Sequence, residues 1–333
     1  MTAAPPQTPR AAVIVNPIKV DPTALRAIVA RHSDWHGWAD PLWLETSVED
    51  PGSGVAARAV EAGVTVVLAA GGDGTVRAVA AALRGTGIPL ALVPSGTGNL
   101  LARNLGLPLG DLDFSVRLAF DGTRRPMDVG MASVVTEDGA SADHAFVVMA
   151  GLGLDADMIA TANPELKKKV GWLAYVDSGM RALPKAERFR LRYSMGDEEH
   201  RHHARISTVL IGNCGTLPGN ILLFPEAKVD DGILDIAMMQ PRTLFGWLDV
   251  WRRVAWENRV MRKFAFGRRI IKLTDAAAPA TMTTMRGPRI SMHLEEPRFF
   301  ELDGDEVSVI SSMTAWVDDD ALVVMVPPTL DGR

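Results

Sequence analysis

Cysteine is almost missing from this chain of 333 residues, where Cys214 stands alone. An internal disulfide and the thiolate cages of structural zinc are therefore excluded, and a reducing compartment suits the chain. Long apolar runs are missing too. No window reaches the ~18 unbroken apolar residues that a membrane-spanning helix needs. The opening MTAAPPQTPR is polar and proline-rich, with no signal-length apolar stretch before the first strand-like segment at Ala11. A cytoplasmic protein is expected. The P-loop pattern, GxxxxGK followed by Ser or Thr, does not occur, so a Walker-type nucleotide hydrolase is not supported. The formal net charge of -5 offers no global attraction to nucleic acid, and none is expected as a partner. Internal repeats are absent, and low complexity is confined to the first ten residues.

The composition that remains, 47% hydrophobic and 23% charged, is ordinary globular material, and the length suits two domains with two cores. From Ala11 to Val93 short apolar runs alternate with helical patterns. AAVIVN precedes a helix opened by Asp21 and Pro22, LWLET precedes a helix through GVAARAVEAG, VTVVLAA runs into GGDGT, and IPLALV runs into PSGTGN. Strands apolar on both faces that alternate with helices imply a parallel sheet covered on both sides, a doubly wound α/β domain over 11–125. After Asp121 the texture changes to RRPMDVGMASVV, HAFVVMAGLG, RFRLRYSM, RHHARISTVLIGN and GILDIAMM, strands joined by short turns. A mainly antiparallel second domain with few helices is expected over 126–314. The segment 315–333 carries the strand ALVVMV, which fits either sheet and can complete the first domain.

Chemistry concentrates in the glycine-rich turns. Gly71, Gly72 and Gly74 follow a buried strand and open a helix, where ligands bind at the carboxyl ends of strands in an α/β sheet. Glycines there let successive amides point at one spot, and a helix N-terminus favours phosphate. One βα unit later Pro94 to Asn99 repeats the arrangement, and two such turns on adjacent strands make a cleft. Asp73 is the puzzle among them. A carboxylate facing phosphates is repelled unless a divalent cation intervenes, or unless it accepts a proton or amide hydrogen bonds. A GxGxxA match at Gly151, Gly153 and Ala156, with Asp177 downstream, lies beyond the βα alternation and reads as a strand-to-helix turn. His200, His202 and His203 fall on a hairpin with no further ligand to complete a metal set, so they read as solvated; Cys214 reads as a small buried residue.

GGDGT at 71–75 and PSGTGN at 94–99, with PEAKVDDGILDI at 225–236 and LDGD at 302–305, resemble the motifs of the diacylglycerol kinase catalytic-domain family, in the family's order over nearly the whole chain. GGDGT alone is shared with NAD kinases and is similar to a phosphofructokinase motif. The resemblance implies an ATP-dependent lipid kinase acting on a hydroxyl of diacylglycerol or a long-chain base, in phospholipid metabolism, with the acceptor entering between the domains. It implies an ATP site at Asn16, Pro17, Lys19, Thr46, Gly71, Gly72, Asp73, Gly74, Thr75, Val76, Arg77 and Thr97, with Asp73 organising Mg2+. It further implies a structural Mg2+ held by the Asp231 carboxylate and the backbone oxygens of Lys228 and Ile233, and a general base at Asp305. Glu306 is adjacent, and either carboxylate can serve; if LDGD is only a hairpin turn, the assignment falls. Two alternatives stay open: an NAD kinase-like enzyme for a non-lipid hydroxyl, and a nucleotide-binding regulator without catalysis.

The chain departs from the family pattern in places. Arg77 and Ala78 stand where Asn and Glu are usual, and Asp305 replaces glutamate in the DGE triplet. The first loop, NPIKV, lacks the usual Ser-Gly, which puts its backbone nest in doubt; Lys19 can compensate as a point charge. Between Pro241 and Lys272 nine Lys or Arg face only Asp249 and Glu257, and Trp247 and Trp251 share a helix face. Residues 241–272 are read either as a packed helix with a solvated basic face or as a surface that docks the inner face of a membrane. A homodimer is left open.

Overall fold

A computed structural model describes residues 8–153, 188–198, 200–217, 221–241 and 281–328. The chain forms two compact units, one of Met1–Val129 with Asp319–Arg333, the other of Gly130–Asp318.

In the first unit β1 (Arg10–Val15), β2 (Ala39–Glu45), β3 (Val66–Gly71) and β4 (Leu90–Pro94) alternate with α1 (Pro22–His36), α2 (Ser53–Glu61) and α3 (Asp73–Leu83), followed by α4 (Leu100–Asn104) and α5 (Leu112–Asp121). The sheet runs β2-β1-β3-β4 with every pair parallel. All six residues of β3 are buried, as the apolar run requires of a strand covered on both faces. The helices follow from local chemistry. Asp21 caps α1 by accepting the Thr23 amide at 2.9 Å, Pro22 takes the first turn, and Gly37 ends the helix in the left-handed conformation. In α3 the buried positions Val76, Val79, Ala80 and Leu83 repeat at helical spacing. Leu25 and Val29 of α1 join Val13, Val15, Leu68 and Val93 in one core, each such side chain contributing about 1.5 to 3 kcal/mol by leaving water.

The second unit is antiparallel. Its strands are β5 (Thr123–Thr136, which starts in the first unit), β6 (Ser141–Phe146), β7 (Met149–Leu152), β8 (Phe189–Met195), β9 (His202–Ile206), β10 (Thr208–Gly212), the short pair β11 (Thr216–Leu217) and β12 (Ile221–Leu222), β13 (Leu234–Met239), β14 (Met282–Gly287), β15 (Arg289–Leu302) and β16 (Asp305–Val326). The order β14-β13-β10-β7-β15 is hydrogen-bonded throughout, and Phe146, Leu152, Phe189, Ile236 and Phe300 lie in its core. Val324 of β16 pairs in parallel with Leu90 of β4, so the ALVVMV segment belongs to the first unit.

One segment differs from expectation. HAFVVMAGLG reads in sequence as one strand, but the ladder breaks at Val147 and Val148 between β6 and β7, because those amides turn to a carboxylate 156 and 155 residues away. Gly151 of the GxGxxA match lies within β7, paired to Leu210 and Glu301, and Gly153 follows with φ 83°. Ala156 and Asp177 lie outside the described residues, as do Trp247, Trp251 and the rest of the basic segment from 242 to 272. His200 and His202 are exposed, with ring centroids 5.1 Å apart, and Cys214 is buried. Among the described residues no helix is long and apolar enough to cross a membrane.

Candidate active site

The four parallel strands all deliver their loops to one edge of the first unit's sheet. Val15 sits level with Glu45 and Ala70, and Gly71 with Pro94. Asn16, Thr46, the Gly71–Gly74 turn and the Pro94–Asn99 turn are therefore gathered at the carboxyl ends of β1, β2, β3 and β4. Asn16 donates its amide to Ala70 O at 2.8 Å, and Thr46 donates to Val15 O at 3.0 Å. In the first loop, which lacks the Ser-Gly, Oδ1 of Asn16 accepts the Ile18 amide at 3.1 Å, closing an Asx turn.

The two glycine turns touch. Ser95 donates its amide to Gly71 O at 3.2 Å. A Cβ placed on Gly96 would lie 2.9 Å from the Gly72 Cα, so only glycine allows this approach. On the other side of Gly72, a Cβ would lie 2.6 Å from Nζ of Lys19, which puts an exposed ammonium beside the N-terminus of α3. Thr75 and Val76 are buried in the first turn of α3, Gly74 and Arg77 are half-buried, and Pro17 and Thr97 are exposed. Both oxygens of Asp73 are engaged, Oδ2 by the Asn99 amide at 3.0 Å and Oδ1 by the Leu100 amide at 2.6 Å. Amide hydrogen bonding, one of the three escapes from phosphate repulsion, is therefore present at Asp73.

In the second unit LDGD forms a two-residue hairpin turn that is more than a turn, since its second strand opens with two exposed carboxylates, Asp305 and Glu306. Leu302 pairs with Asp305, and Asp303 and Gly304 take φ of 51° and 88°, the geometry of a type I′ turn. Asp303 is only 3% exposed, accepts the amides of Val147, Val148 and Met149 at 3.0, 2.8 and 2.9 Å, and donates its own amide to Met149 O. Asp305 and Glu306 are exposed beyond the turn. The hairpin register sets Glu301 directly opposite Glu306. Burial, with the charges of Glu306 and Asp305, pushes the Glu301 carboxyl up to about 7. Sequence reading passed over Glu301, although an LDGD hairpin places residues 301 and 306 across from each other.

The expected Mg2+ site at 228–233 holds a surprise. Oδ2 of Asp231 accepts from Nη2 of Arg286 at 2.9 Å, and Nε of the same guanidinium reaches Oδ1 of Asp235, its cross-strand neighbour, at 2.8 Å. Burial pushes the Asp235 carboxyl up, and Arg286 pulls against it. Nevertheless Oδ1 of Asp231 is buried with no hydrogen-bond partner among the described residues, an orphaned hard oxygen that fits a divalent cation. Lys228 is exposed and Ile233 half-buried, on either side of this carboxylate. A second acidic group gathers Asp128, Asp319 and Asp320, with ligand atoms within 4.8 Å of one another; there Asp128 Oδ1 accepts the Asp320 amide at 2.9 Å.

Comparison with known proteins identifies the family. Residues 10–132 match the diacylglycerol kinase catalytic domain, and residues 147–326 match the YegS C-terminal NAD kinase beta sandwich-like domain. A Stenotrophomonas maltophilia protein named "Probable lipid kinase YegS-like" is 30% identical over 307 residues, covering 90% of this chain and 91% of its own. A Mycobacterium tuberculosis "Diacylglycerol kinase" is 33% identical over 190 residues, 55% of this chain and 58% of its own. For several other bacterial relatives the matched region spans 41% to 60% of their length. A crystal structure titled as a diacylglycerol kinase from Bacillus anthracis shares the fold with a TM-score of 0.68 at 21% identity, covering 98% of this chain and 100% of that one.

Proposed function

Because the chain belongs to the diacylglycerol kinase catalytic-domain family with a YegS-type C-terminal domain, we propose that it transfers the γ-phosphoryl group of ATP to the hydroxyl of a lipid such as diacylglycerol or a long-chain base. The observation that carries this reading is the contact between the two glycine turns at the carboxyl edge of the sheet, with the Lys19 ammonium beside Gly72 at the start of the eleven-residue α3. A helix N-terminus with one cation beside it suits a polyphosphate.

Phosphoryl transfer asks a protein for position and charge neutralisation more than for a nucleophile of its own. The acceptor oxygen bonds to the γ-phosphorus as the bond to the β–γ bridging oxygen breaks, and ADP leaves. The hydroxyl proton passes to a carboxylate, for which Asp305 stands exposed with Glu306 next to it. Glu301, its carboxyl pushed up to about 7 by burial and by the charges of Glu306 and Asp305, lies across the hairpin from Glu306. Lys228, Asp231 and Ile233 would hold a structural cation, and a divalent ion accompanying ATP would supply neutralisation of phosphate charge.

The test is incubation of the purified protein with labelled ATP and Mg2+, separately with diacylglycerol, a long-chain base and NAD, followed by lipid extraction and mass spectrometry. A new phospholipid is expected. Label on NAD alone overturns the lipid reading, and ATP binding without transfer to any hydroxyl identifies a regulator.

A further inference from the structure

The short helix α4 is capped from outside itself. Asn99 occupies its N-cap with φ 47°, yet no side chain within the helix caps it. The Asn99 amide group is turned away to close a ring on Gly96, accepting the Gly96 amide at 2.9 Å and donating to Gly96 O at 2.8 Å. The first two amides at this helix start are taken instead by Asp73, which lies 26 and 27 residues earlier on the neighbouring loop. Gly98 makes room for it, since a Cβ there would stand 2.5 Å from Oδ2 of Asp73.

We propose that Asp73 is a positioning residue, a carboxylate latch that sets the spacing of the two phosphate-facing turns through the amides of Asn99 and Leu100, and not a ligand of the cation that travels with ATP. The inference rests on the reading of these turns as the ATP cradle. Its physical content is that Asp73 acts before any metal arrives. An anionic carboxylate is the best available acceptor for two adjacent amides, and it sits in the first turn of α3, where the helix dipole favours negative charge. Asparagine has the same shape but only one acceptor oxygen, and its NH2 group would face an amide hydrogen. In an Asp73→Asn protein one of the two bonds is lost and the turns separate.

Binding of ATP to the full chain by calorimetry, once in EDTA and once in Mg2+, distinguishes the two roles. A latch predicts that Asp73→Asn weakens ATP by about tenfold or more in both conditions, by the same factor. Gly98→Ala, which leaves Asp73 in place and displaces its carboxylate, is expected to reproduce that loss. Hydrogen exchange at the Asn99 and Leu100 amides of the ligand-free protein should quicken at least tenfold in both variants. Wild-type affinity for metal-free ATP in Asp73→Asn, with loss of the Mg2+-dependent increment alone, overturns the latch. Failure of the wild type to bind ATP in either condition overturns the cradle reading; unchanged exchange at the two amides overturns the latch without touching that reading.

Discussion

A 2.8 Å hydrogen bond joins the Val148 amide to Oδ1 of Asp303, across 155 residues of chain. With the bonds from Val147 and Met149 it satisfies three buried amides at the break between β6 and β7. Asp303→Ala would leave all three without a partner, and a loss on the order of 3 to 5 kcal/mol in urea denaturation is expected. Asp305→Ala removes an exposed carboxylate two residues on, and should move stability by less than about 0.5 kcal/mol while lowering turnover. Equal destabilisation by the two substitutions would contradict this division of labour.

Glu301 gives the protein a pH dependence of known sign. Its folded value, about 7, lies above that of the unfolded chain, so the native state binds the extra proton. The contribution is fully present below the ordinary glutamate range and is lost as pH rises toward and through 7. Glu301→Gln should therefore stabilise the protein at pH 8 by on the order of 1 to 3 kcal/mol and change little at pH 4, as read from denaturation midpoints at the two pH values.

His36 works in the same direction at the far end of α1 from the Asn16–Val20 loop. Nδ1 bonds the His32 carbonyl at 2.8 Å and Nε2 bonds Asp121 at 2.7 Å, so both ring nitrogens donate when the ring is charged. The His32 carbonyl first, and then Asp121, raise its pKa above the ordinary histidine value. The stabilisation is complete below that ordinary value and fades as pH climbs through the raised one. A His36→Gln protein should lack this part of the fall in Tm between pH 6 and 8, with nucleotide binding unchanged.

Arg286 bridges Asp231 and Asp235, and Asp235 is only 5% exposed. Arg286→Met should cost about 3 to 5 kcal/mol because it strands a buried charge. Adding Asp235→Leu should recover much of that loss, because no buried carboxylate is then left uncompensated at this strand position. A double-mutant cycle by thermal denaturation checks this; no recovery would mean that Asp231 carries the pair.

The βα alternation was legible because strands buried on both faces are written as continuous apolar runs, and β3 and β4 end in turns that glycine marks. The same marking exposed the two loops. What the order of residues did not disclose was who accepts whose hydrogen. Asp73 has its amide partners one βα unit later, Asp303 has them at the break between β6 and β7, and Arg286 reaches Asp231 only through the register of β13 against β14. Such partners are fixed by tertiary packing, and no local period records them. Val147 and Val148 looked like the middle of a strand for that reason. Asn99 is a different case: an asparagine just before an apolar helix is a familiar cap, and here its side chain serves the loop while Asp73 serves the helix.

Gly96 rests on Gly72 without room for a methyl group between them. The two turns consequently behave as one interchangeable cassette. Transplanting either alone from a relative would pair mismatched surfaces, and any redesign of this edge of the sheet must change both turns in a single step.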